Sequence, residues 1–229
     1  DIASIISKEV NYDLIGFHGH TIYHNTDEKI SKQIGIGTNL SKITSKTVVY
    51  DFRQNDIKNG GEGAPLSPIY HLALIKALFN ENKVKIPISI LNIGGIANIT
   101  EIDKNFKIIS KDIGPGNCLI DKWIRKNSDK FFDQDGNLAN KGKTDKFIFD
   151  QYLENYYYSK INSKRSLDTN DFDISFAKGL SLENGTTTIT DLTSELLSKK
   201  IGNNNIYVCG GGRKNKYLIN SLKNKIKNK

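Results

Sequence analysis

The chain has 229 residues, which is enough to bury a core as one large domain or as two lobes of about 100 residues each. No apolar run approaches the roughly 20 residues that a membrane-spanning helix needs, and residues 1–8 lack the basic and then apolar order of a signal peptide. We therefore expect a cytoplasmic protein with no membrane partner.

The net charge of +8 raises the question of nucleic acid, because basic surfaces bind phosphates. Only four of the 33 basic residues are arginine, and the lysines are spread from end to end. We expect no nucleic-acid partner, and a nucleic-acid module stays an alternative that rests on charge alone.

Cys118 and Cys209 lack a CxxC partner, so two small buried thiols are expected rather than a disulfide framework or a zinc ribbon.

Short apolar strands that end in glycine turns alternate with helical stretches, which indicates an α/β protein. Residues 13–17 and 47–51 are predicted strands. An amphipathic helix follows, with Ser67 as its cap and Pro68 in its first turn. Its apolar residues recur at helical spacing, at Leu66, Ile69, Tyr70, Ala73, Leu74, Ala77 and Leu78.

The second half of the chain begins with an antiparallel meander. Its three predicted strands are residues 88–93, 97–101 and 106–112. This meander opens a new lobe, so we place the boundary near residue 86 and divide the chain into a partial first lobe, 1–86, and a second lobe, 87–229.

Two helices and a strand are predicted after the meander. Gly114-Pro115-Gly116 breaks the third strand, and Asn117 caps a helix that carries Leu119, Ile120, Trp123 and Ile124. A longer helix is marked by Ile189, Leu192, Leu196 and Leu197. Residues 206–209 then form a buried strand, and residues 210–212 turn into a basic final helix.

Glycine-rich turns at strand ends let backbone amides approach phosphate oxygens. A single Gly-Gly turn is most often a plain hairpin, but three such turns favour a nucleotide cleft. They are Gly94-Gly95, Gly114-Pro115-Gly116 and Gly210-Gly211-Gly212. None matches the Walker or the dinucleotide fingerprint, which argues against P-loop and Rossmann folds.

Asp112 stands at a predicted strand end, directly before a glycine turn and a helix N-terminus. Positive potential at that N-terminus suits a carboxylate base that stays ionised until it takes a proton. The alternative is that Asp112 only accepts turn amides.

A second polar cluster lies in the first lobe. Arg53 follows a predicted strand, Asp56 comes shortly after, and residues 60–65 form a glycine-rich loop. A fixed cation with carboxylates and flexible backbone suits a polar, carboxylate-bearing small molecule, whereas the alternative is a surface turn with an Arg-Asp pair.

Three histidines lie in one short segment, at His18, His20 and His24. For these side chains, hydrogen bonding in a turn is favoured over metal binding.

Six runs of residues, in this order, resemble anhydro-N-acetylmuramic acid kinases. They are FHGHT at 17–21, QIG at 33–35, DFRQNDIKNGGEGAPLSPIYH at 51–71, LNIGGIANIT at 91–100, DIGPGNCLIDKWI at 112–124 and VCGGGRKN at 208–215. The resemblance covers essentially the whole chain, with SLDTNDF at 166–172 and TTTITDLT at 186–193 filling the interval.

The resemblance implies a two-lobed, ribonuclease H-like fold of the actin, hexokinase and Hsp70 class. It implies a kinase of cell-wall recycling that uses ATP and Mg²⁺ to open 1,6-anhydro-N-acetylmuramic acid and to phosphorylate O6, giving N-acetylmuramic acid 6-phosphate. The partner would be this small sugar, and a homodimer is also implied.

By the same resemblance, Asp112 is the catalytic base. Nucleotide-binding positions are Gly94, Gly95, Gly114, Gly210, Gly211, Gly212 and Asn215. Substrate-binding positions are His18, Thr21, Arg53, Asp56, Gly63, Ala64, Pro65 and Asn117.

The chain departs from the family pattern in three respects. It lacks the Gly-Thr-Ser-x-Asp-Gly phosphate loop and the usual C-terminal segment, so we expect a fold that is incomplete at both ends. Phe17 and His20 stand where the family commonly has serine and glutamine. A catalytically incomplete remnant that binds nucleotide or sugar is therefore an alternative, and another sugar or acyl kinase of the same fold is a further one.

Overall fold

The computed structural model describes residues 11–25, 28–159, 167–202 and 205–227. Residues 1–8, where no signal peptide is expected, and Ser166 of the SLDTNDF run lie outside the described residues. The α/β class is confirmed. Within the described ranges, no helix is long and apolar enough to cross a membrane.

Contacts between residues divide the chain into two units between Ile69 and Tyr70, earlier than the predicted boundary near residue 86. The helix that begins at Ser67 accounts for this difference, since Ile75 on that helix packs in one cluster with Ile88 of the second unit. The functional division into lobes 1–86 and 87–229 stays a prediction.

In residues 11–25 and 28–66, the described part of the first unit before the helix at Ser67, there are two small strand pairs and two helices. Strand β1 (Leu14–Phe17) pairs in parallel with β4 (Thr47–Tyr50), which confirms both predicted strands to within one residue. Between them lie the antiparallel hairpin of β2 (His20–Asn25) and β3 (Ile30–Ile34), and helix α1 (Gly37–Thr44).

Helix α2 (Phe52–Lys58) was not expected from the sequence. It begins after Asp51, which adopts a left-handed backbone with φ of 61°, and it buries no residue. A short helix without a buried apolar stripe or a side-chain cap has no periodic signature, which is why this segment looked like a loop.

Helix α3 (Ser67–Asn80) confirms the predicted amphipathic helix. Ile75 is 3% exposed and packs with Leu72 and Leu78 into an aliphatic cluster. Ile69 and Tyr70, which share the predicted apolar spacing, are instead 71% and 66% exposed. Ala73, Leu74 and Ala77 of the predicted stripe are exposed as well. The buried face is therefore that of Leu72, Ile75 and Leu78, and the predicted stripe is wrong because apolar residues lie on more than one face of this helix.

The second unit is built on a four-stranded sheet of order β7-β6-β5-β8. Strands β5 (Ile88–Ile93), β6 (Ile96–Ile102) and β7 (Ile108–Pro115) form the predicted antiparallel meander, and β8 (Asn205–Cys209) lies parallel to β5. This meander, with a later strand parallel to its first, fits the ribonuclease H-like expectation.

Strand β7 does not break at Gly114 as predicted. The register of β6 and β7 shifts between Ala97 and Asn98, and Gly114, with φ of 154°, pairs beyond this bulge with Ala97. Because the bulge absorbs the irregularity, pairing continues to Pro115. The predicted strand ending at residue 112 is wrong by three residues.

Helices α4 (Cys118–Asn127) and α6 (Leu182–Lys200) pack into the main core with α5 (Lys146–Tyr158) and α7 (Lys216–Lys227). The apolar residues predicted for α4 and α6 are all buried, at 3% exposure or less. They are Leu119, Ile120, Trp123, Ile124, Ile189, Leu192, Leu196 and Leu197.

Strand β8 is only partly buried, contrary to the prediction, and Tyr207 is 50% exposed. The reason is its place at an edge of the described sheet. Both cysteines are free, but only Cys118 is buried, while Cys209 is partly exposed on this strand.

We expect Ile113→Ala to lower the free energy of unfolding by about 2–5 kcal/mol, because Ile113 on β7 is 2% exposed and its removal leaves a cavity. Ile109→Ala on the same strand should cost less than about 1 kcal/mol, because Ile109 is 55% exposed. Urea unfolding followed by the fluorescence of the single tryptophan, Trp123, measures both. Equal losses would contradict the core described above.

Candidate active site

The three predicted glycine turns meet at one edge of the sheet in the second unit. Strands β5 and β8 are parallel, and β7 runs the same way because β6 is antiparallel to both β5 and β7. The carboxyl ends of β5, β7 and β8 therefore lie at the same edge of the sheet, with β6 between β7 and β5. Gly94-Gly95, Gly116 and Gly210 follow these three ends, and we call this region the glycine edge.

Direct backbone contacts join the first two turns. The Gly116 amide donates to the Gly95 carbonyl at 2.9 Å, and the Asn117 amide donates to the Gly94 carbonyl at 2.7 Å. A side chain at Gly116 would overlap the Gly94 carbonyl oxygen. The close approach of two main chains is the physical reason for glycine at this position.

The third turn packs against the same place. A Cβ at Gly212 would overlap Ile93 and would lie 3.1 Å from Asn117 Oδ1, so Gly212 is buried by the first two turns. Gly95 and Gly211 are exposed and can present their amides to a ligand. Gly114 is buried beside Leu197 inside β7, so the structure does not bring it to this exposed surface.

Asn117 precedes α4 but does not cap it through its side chain, contrary to the prediction. Its backbone is already in the helical region, at φ of −82° and ψ of −11°, and its Nδ2 donates to the Ile93 carbonyl at 3.5 Å. Asn215 is 7% exposed, and its Oδ1 accepts the Leu218 amide at 3.0 Å at the start of α7.

Asp112 lies on β7, opposite Asn98 and three residues before the strand ends. Its Oδ2 accepts the Leu167 amide at 2.9 Å. Burial raises the pKa of this carboxyl, and the hydrogen bond from Leu167 opposes that rise. One oxygen is therefore committed to a loop amide, while Oδ1 has no hydrogen bond within the described part of the chain.

A cleft of about 560 Å³ adjoins the glycine edge, and Gly211, Asn117 and Asn215 are part of its wall. Burial raises the pKa of Asp121 in this cleft to about 6, and the charge of Arg125 opposes the rise. Sequence reasoning missed Asp121, although it belongs to the DIGPGNCLIDKWI run. The volume suits a ligand of nucleotide size.

In the first unit the structure brings His18 and Thr21 together. The Nε2 atom of His18 lies 3.4 Å from Thr21 Oγ1, which also accepts from Gln33 Nε2 at 3.3 Å. Gln33 was missed as a site residue, although the QIG run contains it. His18 and Gln33 line a cleft of about 560 Å³ that also includes Gln54.

Asp56 organises the glycine-rich loop of the first unit. Its Oδ2 accepts the Gly63 amide at 2.7 Å, and its carbonyl accepts the Gly61 amide at 2.8 Å. The loop then continues into the cis peptide bond between Ala64 and Pro65. The carboxylate of Asp56 is therefore engaged with the loop backbone.

Arg53 lies near the same loop, since a Cβ at Gly63 would be 3.5 Å from Arg53 Cβ. The described residues show no ion pair between Arg53 and Asp56. Burial lowers the pKa of Arg53, and burial together with the charge of Arg53 lowers the pKa of His24.

His20 pairs with Ile34 across the hairpin. The described ranges contain no group of three His, Cys, Asp or Glu side chains that could hold a metal ion.

The family model described as anhydro-N-acetylmuramic acid kinase matches residues 4–229. The chain belongs to the anhydro-N-acetylmuramic acid kinase family. Two curated relatives of that name show how similar the chain is. It is 46% identical to the kinase of Pelagibacter ubique, over 96% of this chain and 62% of that protein, and 40% identical to the kinase of Agrobacterium fabrum, over 92% and 57%.

The kinase family resemblance expected from the six runs is thereby confirmed. A third relative, the anhydro-N-acetylmuramic acid kinase of Zymomonas mobilis, is 39% identical over 93% of this chain and 58% of that protein. The chain thus spans about three fifths of the length of the curated relatives it matches.

Among solved structures, the chain is similar to an activator of the 2-hydroxyisocaproyl-CoA dehydratase from Clostridium difficile with bound ADPNP. The likeness covers 86% of this chain and 75% of that one, with 13% identity and a TM-score of 0.43. At this score the likeness supports no inference about this chain.

Adjacent glycines at the glycine edge should respond differently to substitution. Gly210 has φ of 81°, and a Cβ there would lie 2.6 Å from the Ile93 carbonyl oxygen, so Gly210→Ala should destabilise the second unit by about 1–3 kcal/mol. Gly211→Ala meets nothing closer than 3.8 Å and should change stability by less than about 0.5 kcal/mol. Urea unfolding measures both, and a larger loss for Gly211→Ala would refute the described turn.

Proposed function

We propose that this protein is the kinase that opens 1,6-anhydro-N-acetylmuramic acid with water and phosphorylates its O6, with ATP as the phosphoryl donor. The product is N-acetylmuramic acid 6-phosphate. The observation that carries the proposal is the position of Asp112 on β7, beside a glycine edge with the exposed residues Gly95 and Gly211, in a member of this kinase family.

Asp112 would serve as the general base. Its Oδ1 takes a proton from water, and the water oxygen bonds to the anomeric carbon as the bond from that carbon to O6 breaks. O6 bonds to the γ-phosphorus of ATP, and ADP departs. Glycosidases ordinarily supply a carboxylic acid to protonate the leaving oxygen, but here the phosphoryl group caps it, so one carboxylate suffices.

The glycine edge would hold the phosphates of the nucleotide. Exposed amides of Gly95 and Gly211 can donate to phosphate oxygens, and the N-terminus of α4 adds positive potential nearby. Gly94, Gly210 and Gly212 shape the turns, while Asn215 fixes the start of α7. Mg²⁺ would arrive as part of the ATP complex, held chiefly by phosphate oxygens.

The first unit would bind the muramic sugar. His18 and Thr21 offer polar side chains beside a cleft, and Arg53 offers a cation that suits the lactyl carboxylate. Asp56 would act indirectly, because it holds the loop that contains Gly63, Ala64 and Pro65. For Asn117, on the glycine edge of the second unit, a role in substrate binding stays a prediction from the family resemblance. We also propose a cytoplasmic homodimer, which the family resemblance implies.

We expect Asp112→Asn to lower kcat by about 10²–10⁴-fold with little change in ATP binding, because the amide cannot take a proton. The protein expressed from its complete coding sequence is assayed with the anhydro sugar and ATP. ADP release and the mass of the phosphorylated sugar are measured. Asp150→Asn, an exposed substitution of the same kind on α5, serves as the control and should keep full activity.

Wild-type protein that binds ATP or the sugar but forms no 6-phosphate would favour the alternative of a non-catalytic remnant. Undiminished turnover by Asp112→Asn would remove Asp112 from the mechanism while leaving the kinase activity established. The two failures are therefore distinguishable.

The pH profile of kcat/KM should have one acid limb, a fall in rate at low pH, which reports the titration of Asp112. The base acts only when ionised, so kcat/KM falls as the pH drops through its pKa. Burial raises that pKa, so the limb should lie above the ordinary value of 3.8. Initial rates between about pH 3 and 8, an interval that includes both the ordinary and a raised carboxyl pKa, locate it. A limb at or below the ordinary value would contradict a buried base.

A further inference from the structure

Lys122 on α4 bonds to backbone carbonyl groups rather than to a carboxylate. Its Nζ donates to the carbonyl oxygens of Thr169 and Phe172, the second at 3.0 Å. No carboxylate lies within ion-pair distance of it among the described residues. A half-buried ammonium group that bonds two carbonyls of one loop joins the helix to that loop.

The loop of residues 167–174 is well ordered by its own hydrogen bonds. Asp168 Oδ1 accepts the Asn170 amide at 2.8 Å, and Asp171 Oδ2 accepts the Asp168 amide at 2.8 Å. Phe172 is 2% exposed and anchors the loop in the main core. The stretch between Leu167 and Phe172 therefore behaves as one piece that Lys122 holds at two points.

This loop contacts both parts of the candidate active site. The Leu167 amide donates to Asp112 Oδ2 at 2.9 Å. A Cβ at Gly95 would lie 3.3 Å from Thr169 Cγ2, so the Thr169 methyl group rests beside the first glycine turn. The position of the loop consequently decides how the Asp112 carboxylate is oriented.

We propose that Lys122 is a positioning residue, which holds the loop so that the Leu167 amide stays on Oδ2 of Asp112 and Oδ1 faces the reacting water. The last step, the approach of water, rests on the proposed function. The coupling of Lys122 to Asp112 through the loop does not, because it concerns only the folded chain.

The other charged groups on neighbouring elements form ion pairs or hydrogen bonds with other residues. They therefore do not replace the Leu167 amide as the hydrogen-bond partner of Asp112. Lys111 lies 3.7 Å from Glu101, Asp121 lies 3.5 Å from Arg125, and Asp173 accepts from Ser175 and from the Ile174 amide. On α6, Glu195 binds Lys199 and Lys225, and Asp191 accepts from Thr144, Tyr217 and Ser221.

Loss of the Leu167 amide should therefore raise the proton affinity of Asp112. A hydrogen bond to the ionised form stabilises that form, and its removal leaves burial unopposed. The acid limb of the pH profile should then move to higher pH when the loop is released. A purely structural role for Lys122 would lower the amount of folded protein without moving this limb.

The test compares Lys122→Met with Lys126→Met, which removes an exposed lysine one turn further along the same helix. Lys122→Met should speed hydrogen exchange of the Leu167 amide by about 10-fold or more. It should lower kcat by about 10- to 100-fold with KM for ATP within about 2-fold, since misplacement of a base affects the chemical step. The acid limb should move to higher pH, and Lys126→Met should match wild type in all four readouts.

Wild-type exchange at Leu167 and an unmoved acid limb in Lys122→Met would overturn the proposal. If Lys122→Met is too unstable to assay, Lys122→Gln replaces it. This variant has a shorter, uncharged side chain that keeps an N–H donor, so it should show the same changes at smaller size. Wild-type exchange and an unmoved acid limb in Lys122→Gln would count against the hold of Lys122 on the loop. If wild-type protein makes no product, the proposed function fails alone, because the exchange measurement still decides whether Lys122 holds Leu167. Exchange at Leu167 should also rise in Asp112→Ala, which removes the acceptor.

Discussion

The constraint on which the candidate site depends is the contact between two main chains at the end of the sheet. The Asn117 amide reaches the Gly94 carbonyl, and Gly116 leaves room for that approach. Since α4 starts at this contact, the same bond sets where the helix begins and where its positive end points. The third turn then packs on the first two through Gly212. The proposed phosphate-binding surface is thus a product of strand direction and backbone proximity rather than of a single sequence motif.

Electrostatics at this place follow from burial more than from neighbouring charges. Asp112 and Asp121 both lose water contact, and in each case one contact opposes the resulting rise in pKa, an amide from Leu167 for the first and the guanidinium of Arg125 for the second. An amide donor is fixed in direction, whereas a side-chain cation is mobile and screened. The carboxylate of Asp112 is therefore held in a defined orientation, as the proposed base requires. The carboxylate of Asp121 lies beside a mobile side chain and is less firmly oriented.

The sequence predicted elements best where one face is fully buried. Strand 88–93 and the α4 residues Leu119 and Trp123 carry strong apolar patterns, and the structure confirms them. Helix α2 buries nothing, so it left no pattern to detect. The bond from Leu167 to Asp112 joins residues 55 positions apart, and local propensity contains no information about such a contact. Likewise, the predicted capping by Asn117 followed residue preference, whereas its backbone is already helical.

The regular pairing of β6 and β7 between Ile108 and Asp112 has a consequence for how the chain can vary in length. Side chains on a strand alternate between faces, so one residue added to or lost from β7 upstream of Asp112 would turn its carboxylate to the opposite face of the sheet. The hairpin tip between β6 and β7, where Asp103 accepts the Asn105 and Lys107 amides, can change length without this effect. An insertion at the hairpin tip therefore leaves the proposed base in place, whereas a one-residue insertion in β7 before Asp112 displaces it.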